Sequence, residues 1–248
     1  MTVDSYVDLY LVRHGESEAN VSHTFANRFA EQTDRFAEQT DRFADQTDRF
    51  ADQVEGAPLT ERGRAQARAL ASRLGVALGN RRASSLRTSP VLRARQTAAI
   101  LSTRLGVPVL PPCPALTEFD VGVFEGTSDR AHWDRFDALL RAWLLDDRWD
   151  QRIEGGESSR DVAARFVPFV RELVAGSVPG EAHVLVTHGG LLRSMVPRVA
   201  SNVDGRFAYE HDLATTAWVQ LRSRNGGGLV CRVWGDLVLD DGSAAQSR

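Results

Sequence analysis

The 248-residue chain contains no lysine, so all 30 of its Lys+Arg positions are arginine. That absence excludes several chemistries. No lysine amine is available for a Schiff base. A phosphate-cradling P-loop would lack its lysine, as would the nucleotide-binding strand of a protein kinase. Cysteine is nearly absent too: Cys113 and Cys231 lie far apart and form neither a CxxC pair nor a zinc-ligand spacing. A disulfide between them is one possibility. A reducing, cytoplasmic compartment with two free thiols is the simpler reading. No apolar run approaches the ~20 residues of a membrane span. Met1-Thr2-Val3-Asp4-Ser5 has neither the basic nor the apolar region of a signal peptide, so none is expected. A net charge of -3 removes the broad basic surface that nucleic acid requires.

What is present is an ordinary globular composition, with 42% hydrophobic and 25% charged residues, and a length suited to one large domain. One tract departs from it. Residues 28–55 read RFAEQTD, RFAEQTD, RFADQTD, RFADQVE, four copies of a seven-residue unit. A period of seven is close to two helical turns, so Phe29, Phe36, Phe43 and Phe50 would share one helix face. Glu31 with Arg35, Glu38 with Arg42 and Asp45 with Arg49 are acid-before-base pairs at i,i+4. A helix over most of 25–54 is therefore expected. Its apolar stripe is thin, because glutamine stands where a coiled coil needs a second core residue. A solvated helix or an unstructured tandem expansion competes with a lid or a self-association helix that would make a homo-oligomer. The repeat holds four arginines and eight acidic residues, a net of -4, so the rest of the chain carries +1.

Elsewhere strands alternate with helices. Tyr6–Val12, 83–89 and 182–187 read as strands, and 216–222 with 229–239 as a closing β pair. Residues 60–78, capped by Thr60, a segment from Pro90, 128–145, a helix from Ser158 to about 175 and Gly190–Ala200 read as helices. Trp133, Phe136, Leu139, Leu140 and Trp143 recur at helical spacing and suit core packing. The alternation predicts an α/β fold in three layers, a mostly parallel central sheet with helices on both faces. One domain over 1–248 is expected, with the heptad-repeat insertion at 28–55 and a helical cap region at 127–157.

The chemistry gathers at strand ends. The first strand runs into Val12-Arg13-His14-Gly15-Glu16-Ser17, and the strand at 182–187 into Thr187-His188-Gly189-Gly190. In open α/β sheets ligands bind beyond the carboxyl ends of strands, so both imidazoles are expected at one edge. A third junction, Thr88-Ser89-Pro90-Val91-Leu92-Arg93-Ala94-Arg95, brings arginine to a helix start. Two arginines and two histidines converging there would make an anion site, since guanidinium forks match phosphate oxygens.

The sequence resembles the histidine phosphatase (phosphoglycerate-mutase-like) superfamily. The segments that carry the resemblance are LVRHGES (11–17) with Asn20, PLTERGRAQA (58–67), TSPVLRARQTA (88–98), Leu116-Thr117-Glu118 with Gly122 and Glu125-Gly126, GGES (155–158) and VTHGG (186–190). The family pattern implies that His14 attacks phosphorus and becomes a phosphohistidine. It implies that Arg13, Arg93, Asn20 and His188 hold the phosphoryl oxygens, and that Glu118 serves as proton donor and then base. No metal and no cofactor is implied, and the partner is a small phosphorylated substrate, with no nucleic acid or membrane.

Several residues compete for these roles. Arg95 competes with Arg93 and is read as a surface residue. Asp120 and Glu125 compete with Glu118. Glu16 is expected to support its loop, and His23, His132, His183 and His211 to be surface or structural. The repeat departs from the family, whose members carry a single R-F-x-G-Q-x-D-like stretch there. The expected activity is phosphomonoester hydrolysis. The alternatives are a cofactor-dependent phosphoglycerate mutase, whose paired basic residues the 127–157 region lacks, and an interaction scaffold assembled through the repeat.

Overall fold

The structure is a computed structural model that describes residues 6–28, 57–224 and 227–240. Of the helix expected over most of 25–54, only Phe25–Arg28 are described, and they are not helical; the rest of it, and self-association through the repeat, lie outside the described residues. In chain order the elements are β1 (Asp8–Arg13), α1 (Glu18–Ser22), α2 (Glu61–Leu78), β2 (Ser85–Thr88), α3 (Leu92–Leu105), α4 (Arg130–Leu144), α5 (Ser159–Ala175), β3 (Ala182–Thr187), α6 (Gly189–Met195), α7 (Gly205–Glu210), β4 (Trp218–Ser223), β5 (Leu229–Trp234) and β6 (Leu237–Val238).

The six strands form one sheet in the order β2-β3-β1-β4-β5-β6. Its core, β2-β3-β1, is parallel, while β4, β5 and β6 extend it antiparallel. Alternation along β1 separates the two faces. Leu9 and Leu11 pack with residues of α4, α5, α6 and α7, including Trp143, Phe166, Leu192 and Ala208. Tyr10 and Val12 pack with Leu70 and Leu74 of α2 and Ala98 and Leu101 of α3. The sheet is thus covered on both sides, in three layers. The aromatic series of α4 belongs to the first of these cores, with Trp133 and Phe136 at its margin.

Local signals set the element ends. Thr60 caps α2 through the Gly63 N–H at 2.9 Å, and Ser158 with Asp161 forms a capping box at α5. Three boundaries differ from expectation. Pro90 precedes the helix it was expected to open, because Val91 is the N-cap of α3. The Gly190–Ala200 helix ends at Met195 and continues as a 3₁₀ turn, Val196–Arg198, where Pro197 supplies no N–H donor. The short helices α1 and α7 were not anticipated; both are shorter than two turns and carry little periodic signal. Cys113 and Cys231 are free thiols. Among the described residues no helix is long and apolar enough to cross a membrane.

The register of the parallel core places the site. Arg13 pairs with Thr187 across β1 and β3, and Thr88 with Val186 across β2 and β3. His14, His188 and Ser89 each follow the last paired residue, so three strands deliver them to one edge. The opposite end of β1 is anchored by Asp8, which is fully buried. Arg222, its cross-strand partner, donates to it from Nε at 2.8 Å and Nη2 at 2.9 Å, and Arg81 adds a bond at 2.8 Å. Burial alone would raise the Asp8 pKa, but the bonds from Arg222 and Arg81 outweigh it and lower the value. Asp8→Asn should therefore cost about 2 kcal/mol of stability at neutral pH, the scale of a charge-assisted bond. A folded-state pKa below the unfolded one stabilises above the unfolded value of about 3.9 and loses that contribution as pH falls. The gap between wild type and variant in urea denaturation should narrow below about pH 4; a gap independent of pH would contradict this.

Candidate active site

His14 is nearly buried at the end of β1, and its main-chain N–H donates to the Thr187 carbonyl at 3.0 Å. The following turn is held by close packing. A Cβ on Gly15 would lie 2.6 Å from the Gly63 carbonyl oxygen, and one on Gly63 would lie 1.9 Å from that of Glu16. Only glycine at both positions lets the His14 turn and the start of α2 meet. The Gly15 N–H donates to Thr97 Oγ1 at 3.1 Å, and the Glu16 N–H to Gln66 Oε1 at 2.8 Å. Glu16 supports the loop as expected, accepting from Thr60 Oγ1 at 2.8 Å.

Arg93 lies at the centre of the cluster and is almost fully buried. Its Nε donates to His14 Nε2 at 2.9 Å, and its Nη2 lies 3.2 Å from His188 Nδ1 and donates to Asn27 Oδ1 at 3.2 Å. Its Nη1 donates to the Ala26 carbonyl. A guanidinium only donates, so both facing imidazole nitrogens carry lone pairs. His14 then bears its proton on Nδ1, which donates to the Gly15 carbonyl at 2.7 Å. His188 bears its proton on Nε2, which donates to Ser89 Oγ at 2.8 Å. The two rings meet edge to face, with centroids 5.1 Å apart.

Arg13 donates from Nη1 to the Leu213 carbonyl, and its buried Nε has no partner among the described residues. A Cβ on Gly189 would lie 3.1 Å from that Nε. Glu118 is brought to the same corner by the segment after β2 and α3. Its carboxylate accepts from the Gly190 N–H at 2.8 Å and the Phe119 N–H at 3.1 Å. A Cβ on Gly190 would come within 2.8 Å of it and of the Phe119 ring, so a side chain there would push the carboxylate out of place, while one on Gly189 would crowd Arg13 by only a few tenths of an ångström.

Electrostatics divides the roles. Burial, then Arg93 and Arg13, pushes His14 well below the ordinary histidine range. Burial, then Arg93 and His14, does the same to His188. Burial raises the Glu118 carboxyl, against the Gly190 and Phe119 N–H groups and the two arginines. Burial brings Arg93 down to about 10, still charged at neutral pH. A neutral imidazole lone pair, two guanidinium groups and a carboxyl disposed to hold a proton form an anion site with a nucleophile and an acid.

Arg13, His14, Arg93, Glu118 and His188 are thus neighbours. Asn20 differs: its Oδ1 accepts from the Ser17 N–H and Oγ, each at 3.0 Å, as the capping box of α1, which leaves its Nδ2 as the donor for an anion. Arg95 is half-buried rather than a surface residue, and burial lowers its pKa. Asp120 caps the Gly122 N–H at 2.7 Å, and Glu125 accepts from the main chain of Asn27 and Arg28. His183 is buried between Ser85 and Ser177. Sequence reasoning missed Asn27, Ser89 and Thr97. Ser89 and Thr97 lie inside the TSPVLRARQTA segment, where spacing from Arg93 could have suggested them; Asn27 had no such signal.

The description of the histidine phosphatase superfamily (branch 1) matches residues 9–237. A 2,3-bisphosphoglycerate-dependent phosphoglycerate mutase of Methylobacterium sp. is 31% identical over 199 residues, 76% of this chain and 78% of its own. A glucosyl-3-phosphoglycerate phosphatase of Mycobacterium tuberculosis is 30% identical over 221 residues, 86% of this chain and 84% of its own. The solved structure of the mycobacterial glucosyl-3-phosphoglycerate phosphatase superposes with a TM-score of 0.67 at 28% identity, over 93% of this chain and 99% of that one.

The protonation pattern is directly measurable. In ¹⁵N-detected NMR of the imidazoles, His14 should be neutral with its proton on Nδ1, and His188 neutral with its proton on Nε2, at pH 6.5. Titration of either ring at or above 6.5 would contradict it.

Proposed function

The chain belongs to the histidine phosphatase superfamily, and from that premise we propose that it is a phosphomonoester hydrolase working through a phosphohistidine on a small phosphorylated metabolite. The observation that carries the reading is His14 itself: neutral, buried, its Nε2 lone pair turned toward Arg93. In the first step a phosphoryl oxygen takes over the Arg93 Nε–H, which frees that lone pair to attack phosphorus; the P–O bond to the leaving group breaks, and the departing oxygen takes the proton held by Glu118. In the second, Glu118 removes a proton from water, the resulting oxygen attacks phosphorus, and the P–Nε2 bond breaks to release inorganic phosphate. One residue serves as acid and then base, which suits a carboxyl with a raised pKa. Arg13, Arg93, His188 and the Nδ2 of Asn20 hold the phosphoryl oxygens, so catalysis is chiefly positioning and charge stabilisation. For His188 to donate from Nδ1 it takes up a proton when the anionic substrate arrives.

Likeness to a mutase and to a phosphatase supports a small phosphate ester as substrate. Hydrolysis is favoured over transfer because Arg130, Arg135, Arg141, Arg148 and Arg152 in the 127–157 region are never adjacent, where a second charged group of a mutase substrate would need paired arginines. The reading includes one domain over 1–248, a cap at 127–157 and an insertion at 28–55 that could join copies of the chain. It also includes a cytoplasmic location suited to two free thiols, with no nucleic-acid or membrane partner. Light scattering of the intact chain and of one lacking 28–55 tests the association; equal masses would reject it.

Phosphate release from a panel of alkyl phosphate esters should vanish in His14→Ala and fall about 10²–10⁴-fold in Glu118→Gln. Activity surviving in His14→Ala would reject the mechanism. Given 3-phosphoglycerate and a bisphosphoglycerate primer, the enzyme should release phosphate; mutase turnover well above that release would replace hydrolysis with transfer.

A further inference from the structure

The stretch Phe25–Arg28 lies between the last residues of the histidine loop and the 29–56 segment, and it is tied down from several sides. Phe25 stacks on Trp133 of α4 with centroids 4.0 Å apart. Its N–H donates to the Thr127 carbonyl at 3.0 Å, and its carbonyl accepts from the Gly126 N–H at 2.9 Å. Glu125 Oε1 accepts from the N–H groups of both Asn27, at 2.8 Å, and Arg28, at 3.0 Å. Arg28, the first residue of the repeat, reaches back to the Gly122 carbonyl at 3.4 Å and lies 3.6 Å from Asp120. All of these contacts run to the segment that follows Glu118 and to α4.

The inner side of the same stretch faces Arg93. The Ala26 carbonyl accepts from Nη1 and the Asn27 Oδ1 from Nη2. The Asn27 side chain is buried, and its Nδ2 donates to the Phe119 carbonyl at 3.1 Å, next to Glu118 in the chain. One amide thus joins the guanidinium to the segment that carries the carboxyl. Asn27 is also neutral. It orients the fork while leaving the guanidinium's positive charge for an anion, which a carboxylate at the same place would cancel. Glu125, one step further out, holds the main chain, and its Oε2 is buried without a partner among the described residues.

We propose that Asn27 and Glu125 are positioning residues that aim the Arg93 fork at the phosphoryl group, so that the root of the repeat is part of the phosphate site. The proposal rests on the reading that Arg93 holds that group. Glu125 belongs to a motif of the chain that the hydrolytic mechanism leaves without a role, and here it acquires one.

The test is a double-mutant cycle against Arg93, with inhibition by inorganic phosphate and by orthovanadate as readouts beside kcat and KM. Asn27→Ala should weaken phosphate inhibition and lower kcat/KM about tenfold, by the same factor for p-nitrophenyl phosphate and for alkyl phosphates, because Arg93 serves the phosphoryl oxygens and not the leaving group. In an Arg93→Ala background the same substitution should change neither quantity further. Asn27→Asp has the same shape and should weaken phosphate inhibition more than Asn27→Ala, because its charge cancels that of the fork. Glu125→Ala should act in the same direction and also vanish on Arg93→Ala, while Glu125→Gln, which keeps an acceptor for the two N–H groups, should restore most of the loss. Melting temperatures establish that each variant is folded, and the near-isosteric Asn27→Asp carries the test if Asn27→Ala is not. An undiminished Asn27→Ala effect on Arg93→Ala, or an Asn27→Asp variant equal to wild type, would overturn the proposal. Activity retained in His14→Ala would instead overturn the reading beneath it.

Discussion

The Nδ1–H of His14 donates to the Gly15 carbonyl at 2.7 Å, and that bond leaves the lone pair on Nε2. Much of the site serves to keep that ring in place and uncharged. Its main chain is fixed by the β1–β3 register and by the Thr187 carbonyl. Its turn is closed by the contact between Gly15 and Gly63, and by bonds to Thr97 and Gln66. Its charge state is set by burial, reinforced by Arg93 and Arg13. A protonated imidazole would have no lone pair at Nε2 and would face two guanidinium groups in a poorly solvated corner.

A chain without lysine has built its cationic corner from arginine alone. The consequence is geometric as well as electrostatic. The Arg93 guanidinium is planar and its donors are aimed at separate acceptors: His14, Ala26, Asn27 and His188. Each of these acceptors is uncharged, so the fork is oriented by its neighbours without being neutralised in direct contact. The carboxylates of Glu118 and Glu125 act on it electrostatically but are bonded to main-chain N–H groups instead. Positive charge is thereby kept available for an anion while the bonds to Ala26 and Asn27 orient the side chain.

Much of this was legible in the residues. The two His-Gly strand ends gave the site, because a parallel register brings equivalent strand ends together. Thr60, Ser158 and Asp161 gave helix starts, because their caps are local. What was not legible depends on contacts distant in sequence. Asn27 meets Arg93 across 66 residues and Phe119 across 92. Nothing in the composition near Asn27 announces either contact. That the Asn20 oxygen serves the capping box with Ser17, leaving only Nδ2 to meet an anion, was not legible either. The closing β pair was legible near the end of the chain, but its antiparallel docking of β4 beside β1 depends on contacts more than 200 residues apart in sequence.

The central claim is that the phosphoryl group passes through Nε2 of His14. Phosphoryl–nitrogen bonds of this kind are stable in alkali and labile in acid. The most direct measurement is alkaline quenching of the Glu118→Gln variant shortly after mixing with p-nitrophenyl phosphate, whose leaving group needs little proton donation, followed by mass spectrometric location of the phosphoryl group. The account predicts up to one phosphoryl group per chain, on His14, alkali-stable and lost in acid. A phosphoryl group on any other residue, or turnover of wild type with no phosphoenzyme detectable in either protein, would contradict it.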